Sequence, residues 1–170
     1  RDYAVTGVQT CALPIFILKL STRGRYGLKA MFDLALNYGD GPISLTSIAE
    51  RQAISVNYLE QLISPLRKAN LVESVRGAQG GYMLAKNPEE ITVGVILTTL
   101  EGPLAPTDCV VVDGDDDICD HSEYCVTKVI YEKIYESITS VVNSITLQHM
   151  IDDYRSNQDS LIIKSICECK

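Results

Sequence analysis

A mainly α-helical fold with one short β-hairpin is predicted by three features of the chain. Apolar residues recur at helical spacing in four separate stretches, the best formed being Leu59, Leu62, Ile63 and Leu66. Two brief apolar runs, Leu71–Val75 and Tyr82–Leu84, flank the glycine-rich segment Arg76-Gly77-Ala78-Gln79-Gly80-Gly81, which reads as a hairpin and its tip. A long stripe stepping by three or four residues, Val126, Ile130, Ile134, Ile138, Val141 and Ile145, predicts a helix from about Val126 to Ser144. With 170 residues and 46% apolar side chains the chain can bury a real core. No apolar run approaches the ~20 residues of a membrane-spanning helix.

The elements follow in order. Residues 1–17 show no helix or strand period and no basic region ahead of an apolar run, so they read as a non-native or disordered leader rather than a secretory signal. The segment 18–86 is the first domain. Ser21 is placed to cap a first helix with Leu28, Met31, Leu34, Ala35 and Tyr38 inward, stopped by Gly39. Ser44 caps a short second helix, Leu45 to Arg51. Ser55 caps a third, which Pro65 should kink and Asn70 should end in a left-handed conformation. Two short helices joined by the tight turn Gln52-Ala53-Ile54 match a helix-turn-helix, with Asn57, Tyr58, Glu60, Gln61 and Ser64 outward on the second. A hairpin directly after it makes a winged helix. A nucleotide phosphate loop is excluded, because no Gly-Lys-Ser/Thr follows the glycines and no helix opens after them.

Charge divides along the same line. The net charge is −7, which taken whole argues against nucleic acid. Residues 18–86, however, carry nine basic and five acidic side chains, a net of +4, whereas 87–170 carry five basic and sixteen acidic, a net of −11. A basic winged helix fits double-stranded DNA, with Arg76 able to enter a minor groove.

Thr92 caps a connecting helix within 87–104, with Val93, Ile96, Leu97 and Leu100 on one side. The segment 105–125 holds Cys109-x9-Cys119-x5-Cys125, several aspartates and His121. Three thiols ahead of a helix N-terminus, with no secretory signal, favour a metal or cluster over a disulfide. Asp113-x-Asp115-x-Asp117 is not a calcium loop: Ile118 and Tyr124 stand where the glycine and glutamate belong. Zinc through Cys109, Cys119, Cys125 and His121 and an iron–sulfur cluster both fit the spacing. The helix stripe in 126–155, about 28 Å long and followed by a short helix, needs a partner helix, so a homodimer is expected. Residues 156–170, with Cys167 and Cys169, read as a flexible tail. No nucleophile–base pair is present, so the chain is not read as an enzyme.

Leu20-Ser-Thr-Arg-Gly-Arg-Tyr-Gly27, Ser55-Val-Asn-Tyr-Leu-Glu-Gln-Leu62 and Val75-Arg-Gly-Ala-Gln-Gly-Gly-Tyr82 resemble the IscR and CymR group of bacterial winged-helix regulators, over about Leu18 to Tyr154. The resemblance implies a homodimeric cytoplasmic transcription regulator, here a repressor. Its operator affinity would be controlled by a [2Fe–2S] or [4Fe–4S] cluster on Cys109, Cys119 and Cys125. The histidine that the IscR type uses as fourth ligand is replaced by Lys128, and the aspartate of the nitric-oxide-sensing type by Arg25, leaving His121, a loop aspartate, a small thiol or water. Ser55, Asn57, Tyr58, Glu60, Gln61, Arg76, Gly77 and Gln79 are the implied DNA contacts. The resemblance also leaves open a cluster-free regulator of cysteine metabolism controlled by a partner enzyme.

Overall fold

The computed structural model describes residues 20–77, 80–111 and 125–167, with side chains as far as Gln158. The leader assigned to 1–17 and the residues Gln79, Cys119 and His121 lie outside the described residues. Helices α1 (Thr22–Leu36), α2 (Leu45–Gln52) and α3 (Val56–Lys68) are followed by strands β1 (Val72–Val75) and β2 (Gly81–Leu84). Then come α4 (Val93–Glu101), a single 3-10 turn (Asp108–Val110), α5 (Val126–Ser144) and α6 (Leu147–Cys167). The fold is a winged helix-turn-helix carrying two further long helices.

Local chemistry starts each of the first four helices. Ser21 accepts from the Arg23 and Gly24 amides, Ser44 from Ser47, Ser55 from Tyr58 and Thr92 from Val95. Each hydroxyl satisfies a donor that the first turn leaves unpaired. Asn70 takes the left-handed conformation, φ 56°, that ends α3. The turn between α2 and α3 rests on Ala53, also left-handed at φ 53°. The strands pair antiparallel with Val72 opposite Leu84 and Val75 opposite Gly81. Ile43 adds a separate antiparallel rung to β2 by exchanging backbone hydrogen bonds with Tyr82, at 2.8 and 2.9 Å. The wing is thereby pinned to the α1–α2 connection.

The core gathers Met31, Leu34, Ile48, Leu59, Ile63, Leu66, Val72 and Leu84 from the winged helix, Ile96 and Leu100 from α4, and Leu147 and Ile151 from α6. Helix α4 lies against α1 and α3, so the connecting helix and the winged helix share one interior. The α5–α6 junction is held to the start of α4: the Val93 amide donates to Ile145 and the Leu147 amide to Ile91.

Three expectations are corrected. Helix α1 ends at Leu36, so Tyr38 falls beyond it and is exposed rather than inward. Tyr58 is half-buried, because its ring packs edge-on against Tyr26 with centroids 6.0 Å apart. The helix after α5 is not short: α6 runs from Leu147 to Cys167. No glycine or proline occurs between Ile145 and Cys167, so nothing in that stretch stops a helix once packing has started it.

Candidate DNA-binding face and cysteine segment

The amphipathic period of α3 sorts its side chains. Leu59, Leu62, Ile63 and Leu66 are buried, which leaves Asn57, Glu60, Gln61 and Ser64 outward. These four line one shallow groove together with Pro65, Lys68 and Arg23 from the first turn of α1. Ser55 stands at the start of the helix, its hydroxyl occupied by the cap. Arg76 and Gly77 are exposed at the end of β1, where Gly77 has φ 133° and turns the chain into the wing tip.

The groove therefore adds Arg23 and Lys68 to the residues expected from the sequence. Lys68 continues the outward stripe of 57, 61 and 64, a spacing that was available as a signal. Arg23 lies on another helix and had no local signal. Neither cation has an ion-pair partner among the described residues, and Glu60 is the carboxylate that lines the same groove.

The cysteine segment is described at its two ends. Cys109 sits half-buried in the 3-10 turn, its sulfur 3.2 Å from the Thr107 hydroxyl. That turn packs on α5. Cys125 occupies the N-cap position of α5, with Sγ 3.0 Å from the Thr127 hydroxyl. The Thr127 hydroxyl, then the Lys128 amide, hold the Cys125 thiol below its ordinary pKa. Unpaired amides at a helix start favour an anion, so the sequence position itself favours thiolate. Both sulfurs are free thiols. Lys128 forms a 4.0 Å ion pair with Glu132 one turn on. Among the described residues, no three His, Cys, Asp or Glu side chains converge on one point. Two free thiols on packed elements, one held toward thiolate, suit a thiophilic metal or cluster.

The comparisons decide the family. Residues 20–153 match Rrf2, described as iron-dependent transcriptional regulators. The chain belongs to the Rrf2 family. Among curated Rrf2 relatives, the HTH-type transcriptional regulator IscR of Serratia proteamaculans is 40% identical over 86% of this chain and 84% of its own. That of Yersinia enterocolitica is 42% identical over 85% and 83%. Among solved structures, T. potens IscR is 51% identical with a TM-score of 0.68, covering 82% of this chain and 90% of that one. CymR, the global cysteine regulator of B. subtilis, is 42% identical with a TM-score of 0.66, covering 80% and 98%. This Rrf2 protein is an IscR-type transcriptional regulator, and its relatives are regulators rather than enzymes. No helix of the described residues is long and apolar enough to cross a membrane.

Proposed function

We propose that this Rrf2 protein is a cytoplasmic homodimeric repressor whose operator affinity follows occupancy of an iron–sulfur site built on Cys109, Cys119 and Cys125. Helix α3 and the wing are the reading elements. Ser55, Asn57, Tyr58, Glu60, Gln61, Arg76, Gly77 and Gln79 supply the DNA contacts, and α5 supplies the dimer. In domain terms, 18–86 reads DNA, 87–104 connects, 105–125 senses and 126–155 dimerises. The observation that carries the reading is Cys125, a thiol held toward its anionic form at the head of α5 while Cys109 sits in a turn packed on the same helix. A bound cluster supplies a centre labile to oxidation and ligand exchange. His121 is the candidate fourth ligand. Without it, one iron stays open to solvent or to a small thiol, as a sensor requires.

Anaerobic purification followed by visible absorption and by iron and sulfide assays tests the reading. Coloured protein that loses its colour in Cys119→Ala is expected. Colourless protein with stoichiometric zinc overturns the cluster. A second reading is favoured by Lys128, which stands at the histidine-ligand position and is engaged with Glu132. It is a cluster-free regulator resembling CymR and controlled by a partner enzyme. That regulator would bind its operator equally well before and after treatment with a chelator.

A further inference from the structure

The first turn of α1 is held from an unexpected direction. Glu101, the last residue of α4, places its carboxylate over the start of α1. Its Oε1 accepts from the Ser21 amide at 3.2 Å and from the Ser21 hydroxyl at 2.9 Å. The Ser21 oxygen in turn accepts from the amides of Arg23, at 3.1 Å, and Gly24, at 3.2 Å. The approach requires glycine at 24, since a Cβ there would collide with the Glu101 carboxylate. One continuous hydrogen-bonded chain thus runs from the C-terminal end of α4 to the backbone of Arg23, whose side chain lines the α3 groove. Glu101 itself does not line that groove.

We propose that Glu101 is a positioning residue for DNA binding: through Ser21 it sets the first turn of α1 so that Arg23 meets a backbone phosphate at the edge of the α3 groove. The inference rests on the DNA-binding reading above. Arg23 suits the role, being exposed, free of ion pairs among the described residues and carried by a helix other than the reading helix. Contacts to phosphate fix the register of a reading helix without carrying sequence information. Glu101 is also where the polypeptide leaves α4 for the turn that holds Cys109, so the phosphate contact and the cysteine segment share one anchor.

Charge alone predicts the opposite behaviour. Removing a carboxylate from a DNA-binding protein lessens repulsion and should tighten binding. Positioning predicts weaker binding with one fewer phosphate contact. The test is the salt dependence of binding to a duplex selected from a random-sequence pool by the unmodified chain. Glu101→Ala, Ser21→Ala and Arg23→Ala should each make the slope of log K against log salt shallower by about 0.9. Glu101→Gln, which keeps the acceptor oxygen, should retain the full slope. The double variant Glu101→Ala with Arg23→Ala should be no shallower than Arg23→Ala alone. A full slope in both Glu101→Ala and Ser21→Ala, or additive losses in the double variant, overturns the proposal while DNA binding stands. Absence of any salt-dependent duplex binding by the unmodified chain overturns both.

Discussion

Asp33 is a carboxylate turned into the interior, 3% exposed, and its partners show why α1 tolerates it there. Arg51 donates Nε to both of its oxygens, at 3.1 and 3.0 Å, and Nη2 to Oδ1 at 2.7 Å. Gln52 adds 3.2 Å to Oδ2 and Asn37 adds 3.5 Å to Oδ1. The hydrogen bond to Asp33 raises the Arg51 pKa further, so the guanidinium stays charged throughout the stable range of the protein. The pair is lopsided: the Arg51 side chain is 47% exposed and that of Asp33 4%. Solvent reduces what the arginine gains, but loss of the arginine leaves a dehydrated carboxylate with two neutral donors. Arg51→Ala is therefore expected to cost about 2–3 kcal/mol, above a surface pair and below a fully buried one. Adding Asp33→Asn should recover part of that loss, because the stranded charge is gone. Urea midpoints of the two single variants and the double variant give the coupling. A cost near zero for Arg51→Ala would mean that the other two donors suffice. Nothing in the sequence separates Asp33 from the other acids of 18–86, since its burial depends on where α2 lands.

At the scale of elements, what could be read in advance was whatever is decided within four residues. Ser21, Ser44, Ser55 and Thr92 each cap the helix that follows, and Asn70 closes α3, because these contacts are local. The glycines of 77–81 marked the wing. The Ile43 rung was hidden, as was the link from Glu101 to Ser21, because both join segments far apart in sequence and neither leaves a periodic trace. The end of α6 was hidden for the reverse reason: a polar stretch without a stop signal gives no boundary. The candidate site divides in the same way, with Lys68 continuing a visible stripe and Arg23 arriving from another helix. The Ile43 rung carries its own prediction. A Cβ on Gly81 would run into the backbone of Ile43, including its carbonyl, and backbone cannot swing aside as a side chain can. Gly81→Ala should separate the wing from the α1–α2 connection at a cost of roughly 1–3 kcal/mol. The Tyr82 amide, which now donates to Ile43, should lose its protection from hydrogen exchange while the α3 core keeps its own. Unchanged exchange at Tyr82 would show that the strand accommodates the methyl.

For the molecule as a whole, the decisive fact is that α5 buries none of its side chains. Val126, Val129, Ile130, Ile134 and Val141 are all exposed, Val126 at 78% and Val141 at 58%. Fully burying such a side chain contributes about 1.5–3 kcal/mol, and these five are part-exposed, so a helix left in this state forgoes several kcal/mol, a large share of a domain's net stability. Among the described residues α5 is met by α4 and the 3-10 turn, while α6 packs on α1, and these leave the stripe uncovered. A second copy of α5 is the self-consistent cover, because a two-fold axis presents each stripe to its own duplicate. The split of charge along the sequence fits that arrangement, since the +4 of 18–86 and the −11 of 87–170 belong to different segments. Ile134, midway along α5, is where a two-fold axis would bring both copies of a substitution together. Ile134→Glu would then place two carboxylates in one apolar seam, and the dimer should dissociate by several orders of magnitude in Kd, each 1.4 kcal/mol being tenfold. The monomer should keep its helical content, since the core formed by α1, α3, α4 and α6 does not include Ile134. Sedimentation equilibrium of the two chains checks this directly. An Ile134→Glu protein that remains dimeric at micromolar concentration would place the subunit contact elsewhere than α5.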